Sequence, residues 1–481
     1  MNHNNRGMRS SSNLGAKGEV NLINLSLNFL IISFLFSVNI LGQFGNALSL
    51  SVLAVMALRS TTGALKALCM LGLIIMGNPF IAEKTLILTY FRFPLLALAG
   101  ARILFDVFSK RPDVMKVSYL NGLLLFGFVC VLIAPINGYF TGVAVLKAGM
   151  FTFGVYAILS GTLMGRSGGP DLTGWFIAMM AFIVIGTIMT IPLGVSHIFR
   201  GENLGFGGAG GLSGVTTHQQ TLGSFGAICA VFCFTVGVFA KIPHRWIPLT
   251  LFVLFLPIVW MTKSRTAFGT LVLSISFIIA VAPVVLKGRA SSFRRFNIGK
   301  WIAGIACLVV VGFAADLATG GRINGKLMGF AFKGRLGSHY TVSAEEITSS
   351  RIGLVERSWY IFLEHPVTGI NFGTSLSPGF VMNATLLSAP TEKGFLPTAI
   401  LEETGVVGTT FFLIFIFLAM YRLYSDENII GLSLLVAFLI QNLGEMMFFS
   451  LGGAGLFCWS VVAAGIAVGY SHQFRGRIQS T

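Results

Sequence analysis

Apolar runs long enough to cross a bilayer, about 20 residues each, recur along almost the whole chain. No feature constrains the fold more, because helices built from such runs need lipid or one another on every side. Fourteen candidate spans can be placed: 22–41, 44–58, 65–80, 85–107, 117–136, 142–164, 173–195, 219–240, 246–262, 265–286, 299–318, 399–421, 428–448 and 453–471. The second and third are short, so the range is 12–14, and a tilted pair or a re-entrant hairpin also explains residues 44–58. Composition agrees. The 481 residues are 54% hydrophobic and only 10% charged, with mean hydropathy +0.82, where soluble domains carry roughly a quarter charged residues. The chain reads as an all-α polytopic membrane protein, and its 58 glycines and 44 phenylalanines suit close helix packing and lipid-facing aromatics.

Positive charge sets the sidedness. With the N-terminus inside, the cytoplasmic loops hold Arg59, Lys66, Lys110, Arg111, Lys116, Arg166, Lys241, Arg245, Lys287, Arg289, Arg294, Arg295, Lys300 and Arg422. The short outer loops hold only Lys84, Arg200, Lys263 and Arg265. Both termini are therefore expected in the cytoplasm, with the division 1–21 tail, 22–318 spans one to eleven, 319–398 a large external loop, 399–471 spans twelve to fourteen, and 472–481 tail. In the external loop, "SSRIGLVERSWYIFLEH" (349–365) repeats Ile352, Val355, Trp359 and Phe362 at helical spacing, which predicts an amphipathic helix along the outer membrane surface.

Net charge of +16 does not imply nucleic acid, since the basic residues are scattered over short loops with no basic stripe. The six cysteines, Cys69, Cys130, Cys229, Cys233, Cys307 and Cys458, all fall in apolar segments. No disulfide framework or metal-ligand spacing follows, so no metal or cofactor is expected. The polar N-terminal stretch lacks a signal-peptide cleavage pattern.

An ionisable group within a span costs about 2.5–3.5 kcal/mol on insertion scales and usually faces a cavity or a partner. Here Arg92, Lys147, Arg200, Arg265, Asp316, Glu402, Glu403 and Glu445 all fall toward the outer ends of spans, with Arg102 the exception. Snorkelling accounts for isolated Lys and Arg near span ends, but not for Arg92 or for a shared outer bias. A cation-lined cavity open to the outer leaflet does, and it suits an anionic headgroup, with Arg forks on phosphate oxygens and Lys as a point charge. A lipid diphosphate has that chemistry. "GFGGAGGLSG" (205–214) follows a span rather than a strand, so it reads as a flexible outer loop and not as a dinucleotide fingerprint. His197, His218, His339 and His365 are external, and each alone is more often a surface residue than a base.

Four segments, "GLSGVTTHQQTLGSF" (211–225), "MTKSRTAFGTLVL" (261–273), "SSRIGLVERSWYIFLEHPVTGINFG" (349–373) and "EKGFLPTAILEETGVVG" (392–408), occur in this order. Together they resemble the O-antigen ligase and Wzy-type polysaccharide polymerase superfamily, over roughly the second half of the chain. The resemblance implies a metal-independent glycosyltransferase of the bacterial inner membrane. Its outer arginines would hold the diphosphate of an undecaprenyl-linked glycan and stabilise it as leaving group. Ser264-Arg265 matches the family's Ser-Arg pair opening a span. Arg351 matches the loop-helix arginine, ahead of the turn Pro366, Gly369 and Gly373, and Asn371 stands where a glycine is common. Glu403 and Gly405 match a Glu-x-Gly motif, but the histidine that ligases keep before it is missing, and Lys393 lies in that neighbourhood.

The catalytic set implied is Arg265, Arg351 and Glu403. The substrate-binding set is Arg92, Lys147, Arg200, His218, Arg322, Arg357 and Lys393. The expected partners are an undecaprenyl-diphosphate-linked glycan, membrane lipid and a chain-length regulator, with no nucleic acid. Polymerase is the first reading, and ligase-type transfer to lipid A core or protein is the nearest alternative. A glycolipid flippase is a rival of another class, against which the chain shows no repeat between its halves. For Glu402 and Glu403 a simpler role competes equally: acidic residues at a helix N-terminus favour the macrodipole.

Overall fold

The computed structural model describes residues 21–164, 169–195, 211–240, 242–286, 344–376 and 393–478. Among these residues the regular structure is helical, with one isolated bridge between Gly77 and Thr216. We number the helices α1 (Leu22–Ser37), α2 (Gly42–Arg59), α3 (Thr61–Ile75), α4 (Leu86–Lys110), α5 (Ser118–Asn137), α6 (Thr141–Met164), α7 (Gly169–Thr190), α8 (Gln219–Phe239), α9 (Trp246–Met261), α10 (Arg265–Val285), α11 (Ala344–Glu364), α12 (Leu396–Ser425), α13 (Ile429–Gln441) and α14 (Ala454–Ile478). Nine stretches of the described residues are long and apolar enough to cross a membrane, and α3, α9 and α13 are shorter apolar helices. The chain is a multi-pass helical membrane protein. The expected span 299–318 lies outside the described residues.

Two helices form the centre. The most apolar window of α14 is fully buried and that of α8 is 89% buried, as expected of helices that are apolar all round. Around α14 pack α3, α6, α7, α8 and α13. Peripheral helices such as α4, α10 and α12 bury only a third of their windows and turn Phe91, Phe105, Phe417 and Tyr421 outward.

Residues 44–58 form a true helix, α2, after a single 3-10 turn at Val38–Leu41. The Ser49 hydroxyl donates to Leu35 O (3.1 Å), so α2 folds back beside the end of α1. The expected spans 65–80 and 428–448 are cut short. Helix α3 stops at Ile75 and α13 at Gln441, about 20 Å of helix or slightly more against a hydrocarbon core of about 30 Å. Asn442 ends α13 by turning its own side chain into a cap: Nδ2 donates to Phe438 O (2.7 Å), and Oδ1 accepts from Met447 and Phe448 N–H (2.7 Å each).

The loops sort into two groups. At one end Asn78 donates to Val195 O and Gly214 O, Thr217 N–H donates to Met76 O, Leu212 N–H to Met261 O and Leu396 N–H to Asn442 O, and Asn137 reaches Gly369 O. At the other, Thr61, Arg102 and Lys110 surround Asp106, while Arg422 and Tyr470 meet on Asp426. The first group gathers the loops that the charge rule assigns to the outside, and the second those it assigns to the inside.

Candidate functional site

Helix α12 is broken two residues beyond its acidic pair. Gly405 has φ +60° and ψ −166°, which interrupts the ladder and frees main-chain groups, and the segment after α11 fills the gap. Val406 N–H donates to Pro366 O (2.9 Å) and Val407 N–H to Val367 O (3.1 Å), while Ile370 and Asn371 N–H donate to Glu402 O and Glu403 O (2.8 and 2.9 Å). Non-helical backbone at membrane depth persists where such partners satisfy it. The approach is close: a Cβ on Gly405 would lie 2.3 Å from Val367 O, and one on Gly369 (φ +65°) 2.5 Å from the Glu403 backbone. Asn371 has φ +104°, the region that favours glycine and that Asn tolerates better than most residues. At φ +104° Asn371 nonetheless lies outside the αL window of about +50 to +70° where Asn is best tolerated, so the departure at this position carries backbone strain.

Beneath the docked segment lies an ion cluster. Lys393 Nζ is 3.0 Å from Glu402 Oε1, 3.0 Å from Glu403 Oε1, and donates to Thr374 O at 2.8 Å. Glu403 Oε2 accepts Gly373 N–H (2.8 Å), and Lys147 Nζ donates to Gly373 O (2.7 Å). Lys393, Glu402 and Glu403 are all buried, one amine facing two carboxyl groups. Phe372 drives the segment into an aromatic cluster, with ring centroids 4.9 Å from Phe449, 5.7 Å from Phe151 and 5.9 Å from Phe126.

The expected site residues divide. Lys147, Lys393 and Glu403 come together in this cluster. Arg92, in the second turn of α4, donates from Nη1 to Gly452 O (2.8 Å) and lies 4.7 Å from the Phe93 ring centroid, leaving Nε buried without an acceptor. Lys84, on the loop before α4, is held below the usual lysine range by desolvation first and by Arg92 second. Arg265 is the first residue of α10, behind its N-cap Ser264, and is half-buried. The loop after α13 runs between these groups, since a Cβ on Gly444 would meet Thr266 and the Gly452 main chain accepts from Arg92. His218 caps α8, its Nδ1 accepting Gln220 N–H (3.2 Å). Arg357 is exposed on α11. Arg351 lies on the α11 backbone with its side chain outside the described part, and Arg200 and Arg322 lie outside the described residues.

Among the described side chains of α11 the buried ones are Ser358, Ile361 and Phe362, while Trp359 is 44% exposed beside Tyr360 and Leu363. The inward stripe is thus rotated from the expected one, because α11 packs on α12 as well as facing the surface. Asn137, at the C-terminus of α5, was not singled out by sequence reasoning. Its amide donates to Gly369 O (2.8 Å) and Asn371 Oδ1 (3.2 Å), and its Oδ1 accepts from the Thr368 hydroxyl (2.6 Å). The Asn137-Gly138 pair closing an apolar run is the signal that could have drawn attention to it.

The arrangement can bind an anion. Arg92, Lys84, Lys147 and Arg265 are cations at one end of the bundle, around non-helical backbone where α3 and α13 stop short and α12 breaks. Comparison of the sequence with protein-family models and with curated proteins returns no match.

Proposed function

We propose that this chain is a Wzy-type polysaccharide polymerase, a metal-independent glycosyltransferase that joins undecaprenyl-diphosphate-linked oligosaccharide repeats at the outer leaflet of the bacterial inner membrane. The observation that carries the reading is the direct backbone contact between the Pro366–Gly373 turn and the Glu403–Gly405 motif. These motifs carry much of the sequence resemblance and lie some 30 residues apart in sequence.

In the reaction the acceptor sugar's hydroxyl oxygen bonds to the anomeric carbon of the growing glycan, and the bond from that carbon to the diphosphate breaks. The diphosphate leaves with the bonding pair, and the hydroxyl proton passes to water. Charge grows on the departing diphosphate, so cations fixed in advance lower the barrier. Arg265, with Arg351 on α11, takes this role, and Arg92, Lys147 and Lys84 hold the headgroup. Glu403 and Lys393 act as positioning residues, because their charged groups are committed to each other and to the 373–374 backbone.

The test is Arg265→Ala, and separately Arg265→Lys, in cells deleted for the native gene, read as glycan chain length on the lipid carrier. Arg265→Ala is expected to leave single repeats, with Arg265→Lys restoring short polymer as a charge without the fork. Polymer of normal length from Arg265→Ala would sink the proposal. Long polymer still on its carrier in the deletion strain would point instead to a ligase.

A further inference from the structure

At the corner between α1 and α2 a set of oxygen acceptors is left without donors. Asn39 and Asn46 are both fully buried. Asn46 Nδ2 donates to Gly42 O (2.7 Å) and Glu83 O (2.8 Å), and Asn39 Nδ2 donates to Leu35 O (2.6 Å) and Phe36 O (3.1 Å). With both amide hydrogens directed at carbonyls, the network itself fixes which atom is nitrogen and which is oxygen. The two Oδ1 atoms are therefore true acceptors, buried and without a donor. Each such atom costs about 1–3 kcal/mol if nothing meets it.

Glu83 supplies the third oxygen donor. Its N–H donates to Asn39 O (3.2 Å), its carbonyl accepts from Asn46, and its carboxylate hangs over Gly42, where a Cβ would lie 2.8 Å from Oε2. Gly42 has φ +61°, so the turn keeps that space open. No ion pair of Glu83 occurs among the described residues. The corner faces the N-terminus of α2, which opens at Gly42, as well as the C-terminal end of α1, the negative end of its dipole. In broken membrane helices such ends, with unwound carbonyls, coordinate sodium.

We propose that Glu83, Asn39 and Asn46 bind a hard cation at this corner, and the single carboxylate among neutral oxygens selects sodium over calcium, whose sites take more charged ligands. The ion pins the α1–α2 turn to the loop that leads into α4 and so to Arg92. It takes no part in group transfer, and the proposal does not depend on the polymerase reading.

The test uses the full-length protein in detergent, with thermal unfolding followed in sodium chloride against choline chloride at equal ionic strength, and in calcium and magnesium chloride. Retention of sodium-22 by the purified protein is the direct measurement. Glu83→Gln keeps the shape at an exposed position and removes the charge. Sodium is expected to raise the midpoint of wild type as saturable binding to the folded state, with half-saturation at least about tenfold higher, or about 1.4 kcal/mol weaker, in Glu83→Gln. Sodium and choline acting alike, Glu83→Gln behaving as wild type, stabilisation by divalent ions alone, or no retained sodium-22 would each overturn the proposal.

Discussion

The Lys393 ammonium sits between two carboxylates in a space with almost no solvent contact, its side chain 4% exposed and those of Glu402 and Glu403 3% and 1%. Removing the lysine from such a cluster leaves two carboxylates uncompensated, which costs about 3–5 kcal/mol, whereas replacing the whole group by neutral side chains is far milder. Lys393→Met is expected to lower the unfolding midpoint steeply, and adding Glu402→Gln and Glu403→Gln to it is expected to restore most of the loss. The measurement is thermal unfolding of the three purified forms. A Lys393→Met protein as stable as wild type but inactive would make Lys393 a substrate ligand instead of a positioning residue. Arg92 differs in kind: it keeps a buried Nε without an acceptor and Lys84, another cation, as neighbour, an environment that an anion would complete.

Between elements, the α12 break depends on two close glycine approaches, Gly405 against the 366–373 backbone and Gly369 of that segment against the Glu403–Thr404 backbone. Gly405→Ala places a Cβ at φ +60° within 2.3 Å of Val367 O. Strain of that type costs about 1–3 kcal/mol before the clash is counted. We expect the substitution to undock the segment, read as faster proteolysis within 366–376 and a lowered midpoint. Unchanged proteolysis would show that the segment is held elsewhere, by Phe372 and Asn137. Most elements were legible in the sequence because long apolar runs report helices directly: α4 to α6 and α8 to α10 lie within a few residues of the expected spans. The ends of α3 and α13 were not, because Phe80–Ala82 and Met446–Leu451 keep hydropathy high past the points where Asn78 and Asn442 turn their amides onto the main chain. The clustering of Arg92, Lys147 and Arg265 toward one end of the bundle was legible as a bias along the chain. The pairing of Lys393 with Glu402 and Glu403 was not, since proximity in sequence does not tell a buried cluster from a row of solvated charges.

At the scale of the whole molecule, the loops gather at two ends of the bundle, and the charges that the positive-inside rule counts separate with them. Arg59, Lys110, Arg111, Lys116 and Arg422 follow or precede helix ends grouped around Asp106 and Asp426. Glu402, Glu403 and Lys393 lie with the opposite group. Cysteine labelling decides which end is which. The native cysteines among the described residues are buried, so wild type sets a low background. Phe80 and Tyr139 are 47% and 42% exposed at the end that holds the candidate site, and Lys116 is exposed at the other. A membrane-impermeant maleimide added to intact spheroplasts should label Phe80→Cys and Tyr139→Cys and should reach Lys116→Cys only after permeabilisation. The reverse pattern would put the cation-lined end in the cytoplasm, where a polymerase acting on the outer leaflet could not meet its substrate. The proposed function would then fail while the helix packing, the ion cluster and the sodium corner all stood. Labelling therefore tests the function separately from the fold.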